Sequence, residues 1–315
     1  MRRLLALGLA ALASAPSAQA QTPSAPDSAL RVFLRAGPKT HGPGQHDHPR
    51  FLEEWRALLG ERGAVVDGAL EFPTAEQLAR TDVLVCYAAE NGTMDATQRA
   101  DLLAFLEGGG GIVVIHDAVC GDDAEWFKGV IGGAWEHGHS KWLEGPTGLY
   151  LTDVEHEITR GIPHFEFDDE IYWDLHLEPE AQVIGSSFRT VFDIEPQMWT
   201  WEARGWRAFV SIQGHNHTSF SHPAWRALLL RGIAWAGGRD ADLFLAPDEL
   251  AGLRYPPGGP TAPERAHESF ELHEDFEIAL AAAEPDVQNP ISIDWDARGR
   301  PWVACTPGYP YKEES

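Results

Sequence analysis

The chain has 315 residues, enough for one to three domains with a sizeable core that needs no disulfide staples. It carries 24 Lys and Arg against 48 Asp and Glu, a formal charge of −24, which argues against nucleic acid as a partner. With 43% hydrophobic residues, 12 Trp and 14 Phe it has the composition of a packed protein, and Cys86, Cys120 and Cys305 are too few and too scattered for a disulfide framework.

In chain order, Arg2-Arg3, the apolar run over 4–13 and the small residues ending at Ala20 predict a secretory signal peptide over 1–20. This reading places the protein in a periplasm or outside the cell. The apolar run falls short of the roughly 20 residues that span a bilayer, and no later segment reads as a stable membrane span. Residues 21–29 read as a flexible leader. A strand is predicted over 30–36, then a helix from Pro49 with Phe51, Trp55, Leu58 and Leu59 on one face. A short strand at Ala64-Val65-Val66 follows, then a capping box at Thr74 and Gln77, and an apolar strand over 83–87. Asp95 with Gln98 opens a helix carrying Leu102, Leu103, Phe105 and Leu106, which glycines 108–111 end before a strand over 112–115.

Such alternation predicts an α/β three-layer sandwich with a mostly parallel sheet. Residues 121–205 are less periodic, with strands expected at 148–152, 181–185 and 198–201, and are read as wrapping the sheet's carboxyl edge. The buried-strand pattern resumes over 208–212. His222-Pro223 then starts a helix with Trp225, Leu228, Leu229, Ile233 and Trp235, closing a domain over 30–239. Residues 240–262 read as a Pro/Gly-rich linker. The segment 263–315 holds two alternating stretches, 291–295 and 301–305, joined by a hairpin signal.

Histidine carries most of the chemical content. Twelve of the 14 lie between residues 41 and 222, and three His-x-His pairs occur: His46/His48, His137/His139 and His215/His217. In extended backbone, positions i and i+2 face one side, so each pair can offer two imidazoles to one ion. His41, His46 and His48 follow the first strand, His116 ends the strand over 112–115, and His215 and His217 follow that over 208–212. Ligands of open parallel sheets bind outside the strands' carboxyl ends, where these segments can meet. The expected metal ligands are His46, His48, His116 and His215, with His137 as a further candidate. Imidazole with carboxylate suits Zn, Mn, Fe, Ni or Cu better than Mg or Ca.

Glu170 and Tyr172 share a side if their segment is extended, making Glu170 a candidate base and Tyr172 a candidate acid, with Asp169 and His139 as further catalytic candidates. Asp117 can orient a histidine. Trp135, Trp142 and Trp173, with His41, Asp117 and His217, are candidate saccharide contacts, and Trp199 and Trp201 can also stack on a sugar. No dinucleotide fingerprint, phosphate loop or His-Glu-x-x-His helix is present.

An ordered set of motifs now carries a resemblance. His41-Gly42-x-Gly44-x-His46-x-His48 follows the first strand, and Gly109 to Gly111 lead into Ile112-Val113-Val114-Ile115-His116. Next come His156-x-Ile158-Thr159-Arg160-Gly161-Ile162-Pro163, Asp169-Glu170-x-Tyr172, Gly214-His215, His222-Pro223-Ala224-Trp225 and Arg231-Gly232-Ile233-x-Trp235-Ala236. Over 30–239 the chain resembles the trehalose-utilisation (ThuA-like) family, whose fold is a variant of the flavodoxin-like, class I glutamine amidotransferase sandwich. In the amidotransferases a cysteine nucleophile follows the strand matching 112–115. Here His116 stands there, and Cys120 lies too far along to replace it, so glutamine hydrolysis is not expected.

The resemblance implies metabolism of a disaccharide or its 3-keto derivative; joined to the signal peptide and the histidine cluster, the reading is a secreted, metal-dependent enzyme acting on a disaccharide or 3-keto-glycoside. A C2 proton would be abstracted, with elimination and hydration or with isomerisation. A non-catalytic carbohydrate-binding domain and a metal-handling protein are the alternatives, and a homo-oligomer is compatible with either. The segment 263–315 resembles the start of the sugar-dehydrogenase-like β-propeller modules of large secreted proteins, which implies a covalent or cognate sugar-oxidising partner.

Overall fold

A computed structural model describes residues 28–190, 193–254, 261–283, 286–287 and 289–306. The predicted signal peptide, most of the leader and part of the linker lie outside the described residues. The chain divides into two compact units, between Leu250 and Ala251.

The first unit alternates as its sequence predicts through β1 (Arg31–Ala36), α1 (His48–Glu61), β2 (Val65–Ala69), α2 (Ala75–Leu78), β3 (Val83–Tyr87), α3 (Ala96–Glu107) and β4 (Gly111–Ile115). The capping boxes at Thr74/Gln77 and Asp95/Gln98 both form, starting α2 and α3. Helix α1 buries His48, Phe51, Trp55 and Leu59, a stripe at helical spacing that turns His48 into the protein. Beyond β4 come α4 (Ala124–Ile131), β5 (Gly133–Ala134), β6 (Lys141–Leu151), β7 (Phe165–Trp173) and β8 (His176–Leu177). Then follow β9 (Gln182–Phe188), β10 (Ile194–Trp201), β11 (Ala208–Ser211), α5 (Pro223–Ala236) and α6 (Pro247–Arg254).

The main sheet has nine strands in the order β2-β1-β3-β4-β11-β10-β9-β6-β7. Its first five strands pair in parallel, and every pairing from β11 to β7 is antiparallel. The sheet is therefore mixed, which corrects the expectation of a mostly parallel one. The difference has a physical origin: the short central strands buried on both faces read as continuous apolar runs, whereas antiparallel strands with a wet face do not. The segment expected to wrap the sheet is instead its antiparallel half.

Helices cover both faces of the parallel half. On one, Phe51 of α1 packs edge-on to Tyr87 of β3, and α5 approaches β11 so closely at Gly232 that a Cβ there would lie 2.1 Å from the Phe209 ring. On the other, Leu102, Phe105 and Leu106 of α3 and Phe127 of α4 share a core with Phe33, Leu84, Ile112 and Val210. Among the described residues no helix is long and apolar enough to cross a membrane.

The second unit contains an antiparallel hairpin of β12 (Pro290–Trp295) and β13 (Pro301–Cys305). Its turn is the predicted one: Asp296 accepts hydrogen bonds from the amides of Arg298 and Arg300, and Gly299 takes the left-handed conformation, φ 74°.

Candidate metal centre

Three loops leave the carboxyl ends of β1, β4 and β11 side by side. The loop after β1 is zipped to that after β11: the His46 amide donates to the His215 carbonyl at 3.0 Å and the His217 amide to the Gly44 carbonyl at 2.7 Å. Lys39 braces it from outside, its ammonium donating to the carbonyls of Gly42 (2.8 Å) and Gln45 (2.6 Å). His41, His46 and His116 all have left-handed backbones, with φ of 58°, 42° and 56°. Three such non-glycine residues around one spot store strain that the surrounding contacts must hold, a pattern concentrated at functional sites.

Two of these residues, His46 and His116, bring their imidazoles together with that of His215. His46 Nε2 lies 2.9 Å from His215 Nδ1 and 3.0 Å from His116 Nε2, and all three residues are buried. His116 Nδ1 donates to the Ile212 carbonyl at 2.8 Å, which leaves its Nε2 as a bare lone pair in the neutral ring. Burial pushes His116 down to about 3 and His215 to about 4, so both rings are neutral near pH 7. One proton on His46 Nε2 can satisfy only one of its two nitrogen neighbours. A single divalent ion satisfies all three, and the set fits a transition metal.

The surroundings fit the same reading. Asp117 Oδ2 lies 2.8 Å from His46 Nδ1, in place to accept a proton carried there when Nε2 faces an ion, as carboxylates behind metal-bound histidines do. Burial works against the Asp117 charge, but the imidazoles of His46 and His48 outweigh it and hold the carboxyl well below the usual range. His48 donates through Nδ1 to the Pro38 carbonyl and turns Nε2 toward Asp117 Oδ1 at 3.5 Å. His48 thus belongs to a neighbouring group of His46, His48 and Asp117, not to the triad.

Strands β6 and β7 form a ribbon beside the triad, in which Glu144 faces Glu170 and Trp142 faces Tyr172. Paired residues of an antiparallel ribbon share a face, so the four side chains lie on one side. Glu170 Oε1 is 3.2 Å from His215 Nδ1, its Oε2 is 3.7 Å from His116 Nε2, and the Tyr172 hydroxyl is 3.3 Å from His116 Nε2. Burial, then Asp169 and Glu144, raise Glu170 to about 8, and burial raises the Tyr172 hydroxyl well above its ordinary range.

Asp169 has a different place from the one its sequence suggested. Its Oδ1 accepts from the amides of Glu170 (2.7 Å), Gly214 (3.0 Å) and His215 (3.0 Å), and its Oδ2 accepts from the Ser219 hydroxyl. With its oxygens so engaged, it fastens β7 to the loop after β11 and has little capacity left for a substrate.

The other predicted residues divide. His41 stacks on His46 with ring centroids 3.8 Å apart and is exposed at the mouth. Trp142 is 57% exposed on the ribbon face that carries Glu170. Trp135 packs on Tyr172, while Trp173, its neighbour in sequence along the strand, projects from the opposite face against Arg189. His137 pairs with Glu90 at 3.0 Å, His139 stacks on His176, and His217 bonds Glu54 at 2.9 Å, all away from the triad's nitrogens. Trp199 is core, donating through Nε1 to the Ile131 carbonyl, and Trp201 is buried as well. Glu144 was missed, since a lone Glu beside Gly145 and Pro146 gives no signal before its partner strand is known.

A mixed α/β domain with a buried cluster of histidines and carboxylates at its parallel strand ends is thus a candidate metal-binding protein. Residues 38–236 match the profile of a family described as trehalose utilisation, ThuA, and the chain belongs to that family. Residues 262–315 match a domain of unknown function, DUF7133. No curated protein matches the chain. Among solved structures, it is similar to a protein described as ThuA-like from Bacteroides uniformis ATCC 8492, with 18% identity and a TM-score of 0.55 over 71% of this chain and 98% of that one. A second, also described as ThuA-like, from Parabacteroides merdae ATCC 43184, has 17% identity and a TM-score of 0.52 over 68% and 92%. At these identities the likeness shows the fold.

Proposed function

We propose that the chain is a secreted, metal-dependent carbohydrate-active enzyme that acts on a disaccharide or its keto derivative. The observation that carries this reading is the triad, in which the buried nitrogens His215 Nδ1 and His116 Nε2 lie 2.9 and 3.0 Å from His46 Nε2, with Glu170 alongside. His46, His116 and His215 would hold the ion. Once bound, a divalent transition metal supplies Lewis acidity toward a ketone or hydroxyl oxygen.

The chain's own residues supply the rest. Glu170, raised to about 8, can take and return a proton near neutral pH. In a 3-keto-glycoside it would take the acidified C2 proton. The C–H electron pair then forms a C1=C2 bond as the glycosidic C1–O bond breaks, and Glu170 hands its proton to the departing oxygen. Addition of water at C1 completes a net hydrolysis; if the C–H pair instead forms a C2=C3 enediolate while the C1–O bond stays intact, return of the proton to C3 gives isomerisation. Tyr172, kept protonated by burial, can donate to a substrate oxygen, and exposed Trp142 offers a flat apolar surface to a pyranose.

Finer assignments belong to this proposal. The left-handed His116 directly after β4 supports a glutamine amidotransferase-like variant of the fold, because those enzymes place their nucleophile on that sharp turn. The parts proposed are a signal peptide over 1–20, a leader over 21–29, the ThuA-like domain over 30–239, a linker over 240–262 and a module over 263–315. The exposed Ile291, Ile293 and Trp295 on one face of β12 support reading that module as propeller-like. Export to the periplasm or exterior rests on the signal-peptide pattern over 1–20.

The test is turnover of a disaccharide and of its 3-keto derivative by metal-loaded and chelated protein. Metal-dependent release of monosaccharide supports the enzyme; saccharide affinity that survives chelation, without turnover, supports a binding domain. Tight metal binding with no saccharide response supports a metal-handling protein.

A further inference from the structure

An ion held by the triad has to pass from solvent to a buried place: His46, His116, His215 and Glu170 are each no more than 5% exposed. The ribbon beside them contains an arrangement that the proposed chemistry leaves unused. Glu144 lies directly opposite Glu170, and like charges so placed repel unless a cation or proton lies between them. The Glu144 carboxylate is 40% exposed, and one of its oxygens lies 3.9 Å from His215 Nε2. That nitrogen is buried and has no hydrogen-bond partner. One donor atom each from Glu144, Glu170 and His215 fall within 4.8 Å of one another. The Gln45 amide donates to Glu144 at 3.1 Å and holds it over the mouth.

We propose that Glu144, with Glu170 and His215, forms an outer divalent-cation position through which the triad is loaded. The inference rests on the triad being a metal centre. His215 belongs to both positions, and one neutral imidazole cannot give both nitrogens to two ions, so the two positions are filled in succession. His215 turns Nε2 to the outer side and Nδ1 to the inner, and its ring proton changes nitrogen as the cation moves inward. The formal charge of −24 adds a general attraction for cations, which a carboxylate at the mouth focuses.

Stopped-flow mixing of metal-free full-length protein with Zn2+ or Mn2+, read with a chromophoric chelator, gives association and dissociation rates and the equilibrium affinity. Glu144→Gln should slow association by about tenfold and slow dissociation with it, leaving affinity nearly unchanged. Glu107→Gln, the same change of charge at the end of α3 beside the sheet's amino edge, should leave both rates as in the wild type. Unchanged rates in Glu144→Gln, equal slowing in Glu107→Gln, or weaker affinity through faster dissociation alone would overturn the proposal. The last result would make Glu144 a static support for His215. If the wild type takes up no ion, or His116→Ala takes it up equally well, the triad reading fails and the loading position goes with it.

Discussion

His46 and His215, 169 residues apart, meet twice: the His46 amide donates to the His215 carbonyl at 3.0 Å, and their rings approach to 2.9 Å. The backbone contact fixes the distance between two loops, and the ring contact is its consequence. The site is therefore built from strand ends and strained loop backbone, and its geometry depends on groups that never touch an ion.

Asp117→Asn should weaken metal binding by about 10–100-fold while the fold persists, because the amide can no longer hold the His46 Nδ1 proton as a carboxylate does. Metal competition titration, with circular dichroism as the control for folding, checks this. Wild-type affinity in the variant would show that Asp117 does not orient the ring.

Trp142→Ala should weaken saccharide binding and leave metal content alone. The ring is largely exposed, so stability should change by less than about 0.5 kcal/mol. Isothermal titration with a disaccharide and a thermal melt separate these effects; unaltered sugar affinity would remove Trp142 from the proposed site.

Trp199→Ala should behave in the opposite way, costing about 3–5 kcal/mol of stability, since a buried indole and its bond to the Ile131 carbonyl are lost together. Denaturant unfolding measures the loss. A change below 1 kcal/mol, about the size of a surface substitution, would contradict a core role.

The Arg62 and Glu249 pair gives a pH expectation. Arg62 donates to both Glu249 oxygens at 2.7 and 2.8 Å and lowers the carboxyl to about 2 from its ordinary 4.5. A depressed folded value means that the pair stabilises above about pH 4.5 and that this is lost as the pH falls toward about 2. Because both groups are partly exposed, the contribution is about 1 kcal/mol or less. Glu249→Gln should be less stable than wild type at pH 7 and nearly equal to it at pH 2. A difference that persists at pH 2 would point to packing rather than charge.

Much of the site was legible in the sequence, for a physical reason. Strands β1, β4 and β11 are short, mostly buried segments with sharp ends, so the histidines that follow them lie along one sheet edge. The His-x-His rule was less reliable, since it presumes extended backbone. Gly138, with φ 83°, puts His137 and His139 in a turn, and His217 begins a 3-10 helix that carries its ring to Glu54. Strand β7 was hidden because Asp168, Asp169 and Glu170 look like a solvated acidic loop. Only its pairing with β6 gives those carboxylates buried partners and brings Glu144 opposite Glu170.

Element analysis of the purified wild type beside His116→Ala tests the central claim most directly. We expect one transition-metal ion per chain in the wild type and its loss in the variant, which removes the lone pair facing His46. No bound ion in the wild type, or the same content in both proteins, would contradict the account.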